Sequence, residues 1–137
     1  MGDVVKTRRG MVFGVFDGLH DGHKHFLSDA KQRSEVLIVV VTRDEVSMRR
    51  KGFRPKVDEE RRAESIRAID PSFQVVMGDT ADGEWHVIDE YDPDRIYLGY
   101  DQGELSEELR KMAIPFTFLD AYKKDLYKSS LIGKETP

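Results

Sequence analysis

An α/β domain built on a five-stranded parallel sheet with helices on both faces is the fold class this sequence predicts. Three observations lead there. Strand-like and helix-like segments alternate from end to end, the pattern of parallel strands joined by crossover helices. Val36-Leu37-Ile38-Val39-Val40-Val41 is apolar on both faces and rich in β-branched residues, as a strand covered on both sides must be. The 137 residues suffice for one hydrophobic core and are too few for two, so a single domain is expected over 1–137.

The first strand is Met11 to Phe16, an apolar run that stops at the turn residues Asp17-Gly18. Residues 1–9 read as a flexible N-terminal tail; they are charged and lack the apolar stretch of a secretory signal. A helix follows over His23 to Arg33, with Phe26, Leu27 and Ala30 on one face. Val36 to Val41 is the second strand, and a basic loop leads from it to Lys56. Asp58 caps the next helix, which carries Arg61, Ala63, Ile66 and Ile69 and ends at Asp70-Pro71. Phe73 to Met77 is the third strand, Glu84 to Tyr91 a short helix and Arg95 to Leu98 the fourth strand. Leu105 to Met112 is a helix, Pro115 to Leu119 the fifth strand, and a last short helix begins near Ser129. In such doubly wound, Rossmann-like sheets ligands bind beyond the carboxyl ends of the strands, which directs attention to the loops that follow them.

Composition narrows the function classes. Hydrophobic residues make up 39% and charged residues 35%, the balance of an ordinary globular protein. A net charge of -4 argues against a nucleic-acid binder, so any anion site must be local. The absence of cysteine removes disulfides, thiolate zinc sites and thiol catalysis, and fits a cytoplasmic protein. No apolar run approaches the roughly 18 residues that span a bilayer, so no membrane partner is expected.

The loop after the first strand is Asp17-Gly18-Leu19-His20-Asp21-Gly22-His23. A helix beginning there presents unpaired N–H groups and the positive end of its dipole, a ready site for phosphate. Two imidazoles three residues apart can add hydrogen bonds to the phosphate oxygens and strengthen as negative charge builds on them. The same pair could serve as metal ligands, although no neighbouring acidic cluster completes such a site. The second loop, with Arg49, Arg50, Lys51, Arg54 and Lys56, suits either a phosphate clamp or a solvated surface. Arg61 fits a phosphate contact or a helix-surface pair with Asp58 or Glu64. Asp101, directly after the fourth strand, could hold a ribose or cap a helix, and Ser129-Ser130 could bind phosphate or cap the final helix. Trp85 could stack on an acceptor, fill a dimer interface or pack in the core.

Gly14-Val15-Phe16-Asp17 followed by His20-Asp21-Gly22-His23 and an apolar helix resembles the opening of the cytidylyltransferase-like nucleotidyltransferases. Their pattern is Gly-Thr-Phe-Asp and then His-x-Gly-His, so Val15 stands where Thr is usual. Tyr127-Lys128-Ser129-Ser130-Leu131-Ile132 resembles their second signature. Lys123 and Leu126 replace the Arg and Gly that often precede it. Leu98-Gly99-Tyr100-Asp101-Gln102 resembles the archaeal-type FAD synthases within that group.

The resemblance implies transfer of a nucleoside monophosphate from ATP or CTP to a phosphorylated acceptor, leaning to adenylylation of FMN, with release of pyrophosphate. It implies His20, His23 and Lys51 as catalytic residues. It places Val15, Phe16, Asp21, Gly22, Asp101, Tyr127, Ser129 and Ser130 against the nucleotide. Arg49, Arg61 and Lys123 take the remaining phosphate and acceptor contacts, with Arg49 where Lys is usual. Mg²⁺ would arrive with the triphosphate rather than in a carboxylate cage. A homodimer is the family's common state. Two alternatives stay open: a cytidylyltransferase acting on glycerol 3-phosphate or a similar alcohol phosphate, and a nucleotide-binding regulatory module that has lost turnover.

Overall fold

The computed structural model describes residues 6–81 and 83–119. Strands β1 (Thr7–Gly14), β2 (Ser34–Val41), β3 (Gln74–Met77), β4 (Arg95–Leu98) and β5 (Phe116–Phe118) form one sheet in the order β3-β2-β1-β4-β5. Every pairing is parallel. Helices α1 (Asp21–Gln32), α2 (Asp44–Lys51), α3 (Glu59–Ile69), α4 (His86–Tyr91) and α5 (Gly103–Lys111) connect them.

The period-two alternation of the strands divides the core between the two faces. Val12, Leu37, Val39 and Val41 point to the side covered by Leu27 and Ala30 of α1 and by Ala63 and Ile66 of α3. Met11, Ile38, Val40, Ile96 and Leu98 point to the other side, against Val87 and Ile88 of α4 and Leu109 of α5. The register Met11↔Ile38, Val12↔Val39 keeps equivalent residues on the same face of neighbouring strands. Strand order reverses at β1, which pairs with β2 on one side and β4 on the other. That reversal opens a crevice at the carboxyl ends of the central strands.

The structure departs from the sequence reading in several places. The first strand starts at Thr7, so residues 7–9 belong to the sheet and are not tail. Polar groups hold this end: Thr7 Oγ1 lies 2.7 Å from the Tyr97 hydroxyl, and Arg9 N–H donates to Asp94 Oδ2 at 2.9 Å. An apolar pattern is silent about such bonds. The strand also stops at Gly14, leaving Val15 and Phe16 in the loop. Residues 44–51, expected as loop, form α2. This helix buries only Val46 and Ser47, so it has almost no apolar stripe to read. Its ends were nonetheless written in charge: Asp44 and Glu45 in the first turn, Arg49, Arg50 and Lys51 in the last, and Gly52 at φ 86 as the left-handed cap. Asp58 does cap α3, accepting from Arg61 N–H at 2.9 Å. The expected closing helix near Ser129 lies outside the described residues. Among those that are described, no helix is long and apolar enough to cross a membrane.

Candidate active site

A cavity of about 1300 Å³ occupies the carboxyl edge of the sheet and is lined by the loops that follow β1, β2, β3 and β4, with Leu119 after β5. Its central feature is the start of α1. His20 is the N-cap, in extended conformation, and its Nδ1 accepts from Gly22 N–H at 3.0 Å and His23 N–H at 3.4 Å. His23 Nδ1 accepts in return from His20 N–H at 3.3 Å. The two histidines thus form a reciprocal capping box, a role more often taken by Ser or Thr with Glu or Gln. Their rings stack, with centroids 3.7 Å apart and planes at 22°.

The capping bonds select one tautomer of each ring. A ring nitrogen that accepts a hydrogen bond carries no proton, so the capping tautomer of each ring holds its proton on Nε2. Two N–H donors are therefore turned away from the backbone at a helix N-terminus, where the dipole already favours anions. Partial burial of His23, and then the proximity of His20, lower its pKa below the ordinary 6.5; Asp101 opposes them more weakly. The neutral, capping form is the one favoured at neutral pH.

Several contacts fix this pair in place. Phe16 packs its ring edge-on to His23, with centroids 5.6 Å apart. To do so its backbone adopts φ 55, a left-handed conformation uncommon for a bulky residue. The absence of a side chain at Gly14 makes room, since a Cβ there would lie 2.6 Å from the Phe16 ring. Asp17 accepts from the N–H groups of Lys56 and Val57, both at 2.9 Å, and so ties the first loop to the segment after α2. Desolvation raises the Asp17 pKa, but the two backbone donors with Arg62 and Lys56 outweigh it and leave the carboxylate below its ordinary value.

Beneath these loops lies Arg62, whose side chain is fully buried. Its guanidinium donates to Val57 O at 2.8 Å, Val15 O at 2.7 Å and Thr42 O at 2.9 Å, and pairs with Asp44 Oδ1 at 2.6 Å. One side chain thereby joins the ends of β1 and β2 to the starts of α2 and α3. On the other side of β1, Gln102 accepts from Gly99 N–H and donates to Phe13 O, both at 2.9 Å. This fixes the β4 loop, and with it Asp101, against the loop of the histidines.

Comparison with known proteins agrees with this fold. The cytidylyltransferase-like family model matches residues 11–132. The FAD synthase of Pyrococcus abyssi is 41% identical over an alignment covering 92% of this chain and 90% of its own length. The FAD synthase of Thermococcus sibiricus is 38% identical, with 93% and 90% covered. The crystal structure of a lipopolysaccharide core biosynthesis protein from Thermoplasma volcanium superposes with a TM-score of 0.70 at 35% identity, covering 85% of this chain and 98% of that one. The chain belongs to the cytidylyltransferase-like family. It is a nucleotidyltransferase.

Within this nucleotidyltransferase the cavity gathers Val15, Phe16, His20, Gly22, His23, Lys51 and Asp101, all expected at the site. Asp21 is exposed in the first turn of α1 and does not line it. Arg49 also lies off the lining; its Nη2 donates to Thr80 O at 2.8 Å, bracing the loop after β3. Arg43 and Arg50 line the cavity instead. Arg61 does not reach it: its side chain is 79% exposed and sits 3.8 Å from Asp58. The buried neighbour Arg62 was missed, although it falls one turn before Ile66 and beside Ala63, on the apolar stripe of α3. Lys123, Leu126, Tyr127, Ser129 and Ser130 lie outside the described residues. Asp79, Glu84 and His86 place ligand-type atoms within 4.8 Å of one another. Asp79 is already engaged there, accepting from His86 N–H at 3.1 Å and Val87 N–H at 3.3 Å at the start of α4.

Proposed function

We propose that this nucleotidyltransferase is an FMN adenylyltransferase, transferring AMP from ATP to the phosphate of FMN and releasing pyrophosphate. The observation that carries the reading is the histidine capping box, which uses Nδ1 of both rings at a helix N-terminus and sets the two side chains in the lining of a cavity at the sheet's switch point. The similarity to FAD synthases over most of the chain supports the choice of acceptor.

A phosphate oxygen of FMN attacks the α-phosphorus of ATP, and the bond from that phosphorus to the β-bridging oxygen breaks, its electron pair leaving with pyrophosphate. His20 and His23 donate from Nε2 to the oxygens that gain charge, and Lys51 and Arg50 lie on the side that receives the polyphosphate. Asp101 takes the ribose side. Mg²⁺, arriving with the triphosphate, would supply charge neutralisation there. Asp17, in the lining, already accepts a backbone N–H on each carboxylate oxygen. No covalent intermediate is required, since positioning and electrostatics carry phosphoryl-type transfer. A homodimer in the cytoplasm is part of the same proposal, and sedimentation of the purified protein tests the assembly.

The deciding experiment supplies the protein and Mg²⁺ with ATP or CTP, each paired with FMN or glycerol 3-phosphate, and follows both pyrophosphate and the adduct. FAD from ATP and FMN is the expected product. Faster turnover of CTP with glycerol 3-phosphate would assign the protein to polyol-phosphate cytidylylation. Triphosphate binding without pyrophosphate from any pair would make it a regulatory module.

A further inference from the structure

The cavity, at about 1300 Å³, exceeds the roughly 300–1000 Å³ of a typical single-ligand site, so it has room for an acceptor beside the nucleotide. Its walls differ in chemistry. The imidazoles follow β1 at the centre, and the cations Arg43, Arg50 and Lys51 follow β2. The wall after β4 carries Asp101, assigned above to the ribose of ATP. The remaining wall follows β3, and there the lining includes Trp85, the only tryptophan of the chain.

Trp85 is mounted rigidly. Its indole meets Phe13 edge-on, with centroids 5.8 Å apart and planes at 88°. The loop that carries it is held by two guanidinium bonds, Arg43 Nε to Gly78 O at 2.7 Å and Arg49 Nη2 to Thr80 O at 2.8 Å. Asp79 then fixes the start of α4 immediately after the indole. The side chain is only half-buried, so it packs on the core and still lines the cavity. The adjoining Glu84 carboxylate makes this wall unsuited to phosphate and suited to ring N–H and hydroxyl groups.

We propose that Trp85 is the specificity-determining residue for the acceptor, holding the planar isoalloxazine ring of FMN by stacking. This rests on the FMN reading above. A braced aromatic face binds a flat ring with little ordering cost, whereas a small alcohol phosphate gains nothing from it. Arg49 acts through this loop as a positioning residue rather than as a phosphate ligand.

The test compares wild type with Trp85→Leu and Trp85→Phe, each first matched to wild type by circular dichroism and melting. In wild type an indole in contact with the ring quenches the emission of bound FMN. Trp85→Leu restores that emission and raises KM for FMN about tenfold, the order expected for a lost aromatic stack, with KM for ATP and kcat unchanged. Trp85→Phe recovers most of the KM. Unquenched FMN bound to wild type, an unchanged KM for FMN in Trp85→Leu, or a rise in KM for ATP instead would each overturn the assignment while leaving FMN adenylylation standing. Failure of wild type to make FAD at all would overturn the function, and this assignment with it.

Discussion

Replacing His20 separates the cap that its ring makes in the structure from the phosphate contact proposed for the same ring. Nδ1 caps α1 by accepting two backbone N–H groups, and Nε2 is the atom proposed to donate to phosphate. His20→Ala removes both. The lost cap costs about 1 kcal/mol, within the roughly 0.5–2 kcal/mol found for N-caps. For a domain of this size that lowers Tm by roughly 3–5 °C. His20→Asn keeps a side-chain oxygen able to cap the helix but has no group at the Nε2 position. Its Tm should stay within about 1 °C of wild type. Loss of one preorganised donor to transition-state charge lowers kcat about 10²–10³-fold, so both variants should fall by that factor in a pyrophosphate-release assay. The two measurements thus come apart: stability distinguishes Asn from Ala, and turnover does not. His20→Asn with kcat within threefold of wild type would refute the donor role. His20→Ala with an unchanged Tm would refute the cap.

Four further outcomes follow from contacts in the structure. His23 has its pKa lowered in the folded state, so its contribution to stability is complete above 6.5 and is lost as pH falls through the lower folded value. Tm should therefore decline between pH 7 and 5, and less steeply in His23→Gln, which keeps the capping geometry without the titration; parallel slopes would remove the argument. Asp17→Asn replaces one acceptor by a donor facing the Lys56 or Val57 N–H. It should loosen the segment after Lys51 and raise KM for ATP several-fold, with a stability loss of about 1–2 kcal/mol in denaturant unfolding. Arg62→Met leaves Asp44 and three carbonyls without their donor and should cost about 3–5 kcal/mol. Arg61→Ala, altering an exposed pair, should change stability by less than about 0.5 kcal/mol and leave kcat/KM within twofold; a large activity loss there would return Arg61 to the phosphate site.

The sequence alone determined the sheet and pointed to the loop where the reaction centre is proposed. Apolar alternation in Val36 to Val41 and the helical spacing of Leu27, Ala30, Ala63 and Ile66 report burial directly, because burial is what those patterns encode. His20-Asp21-Gly22-His23 was legible for a local reason: a capping box closes within one turn, so its partners are neighbours in the chain. Only the tertiary structure decided what Arg49 and Arg62 bond. Arg49 bonds Thr80 O and Arg62 bonds Val15, Thr42 and Val57 O. Each acceptor is a backbone carbonyl, a group every residue carries, so nothing in the residue type marks it in advance. The same limit hid the bracing of Trp85 and the Gln102 bond to Phe13, which join segments that meet only once the sheet has formed.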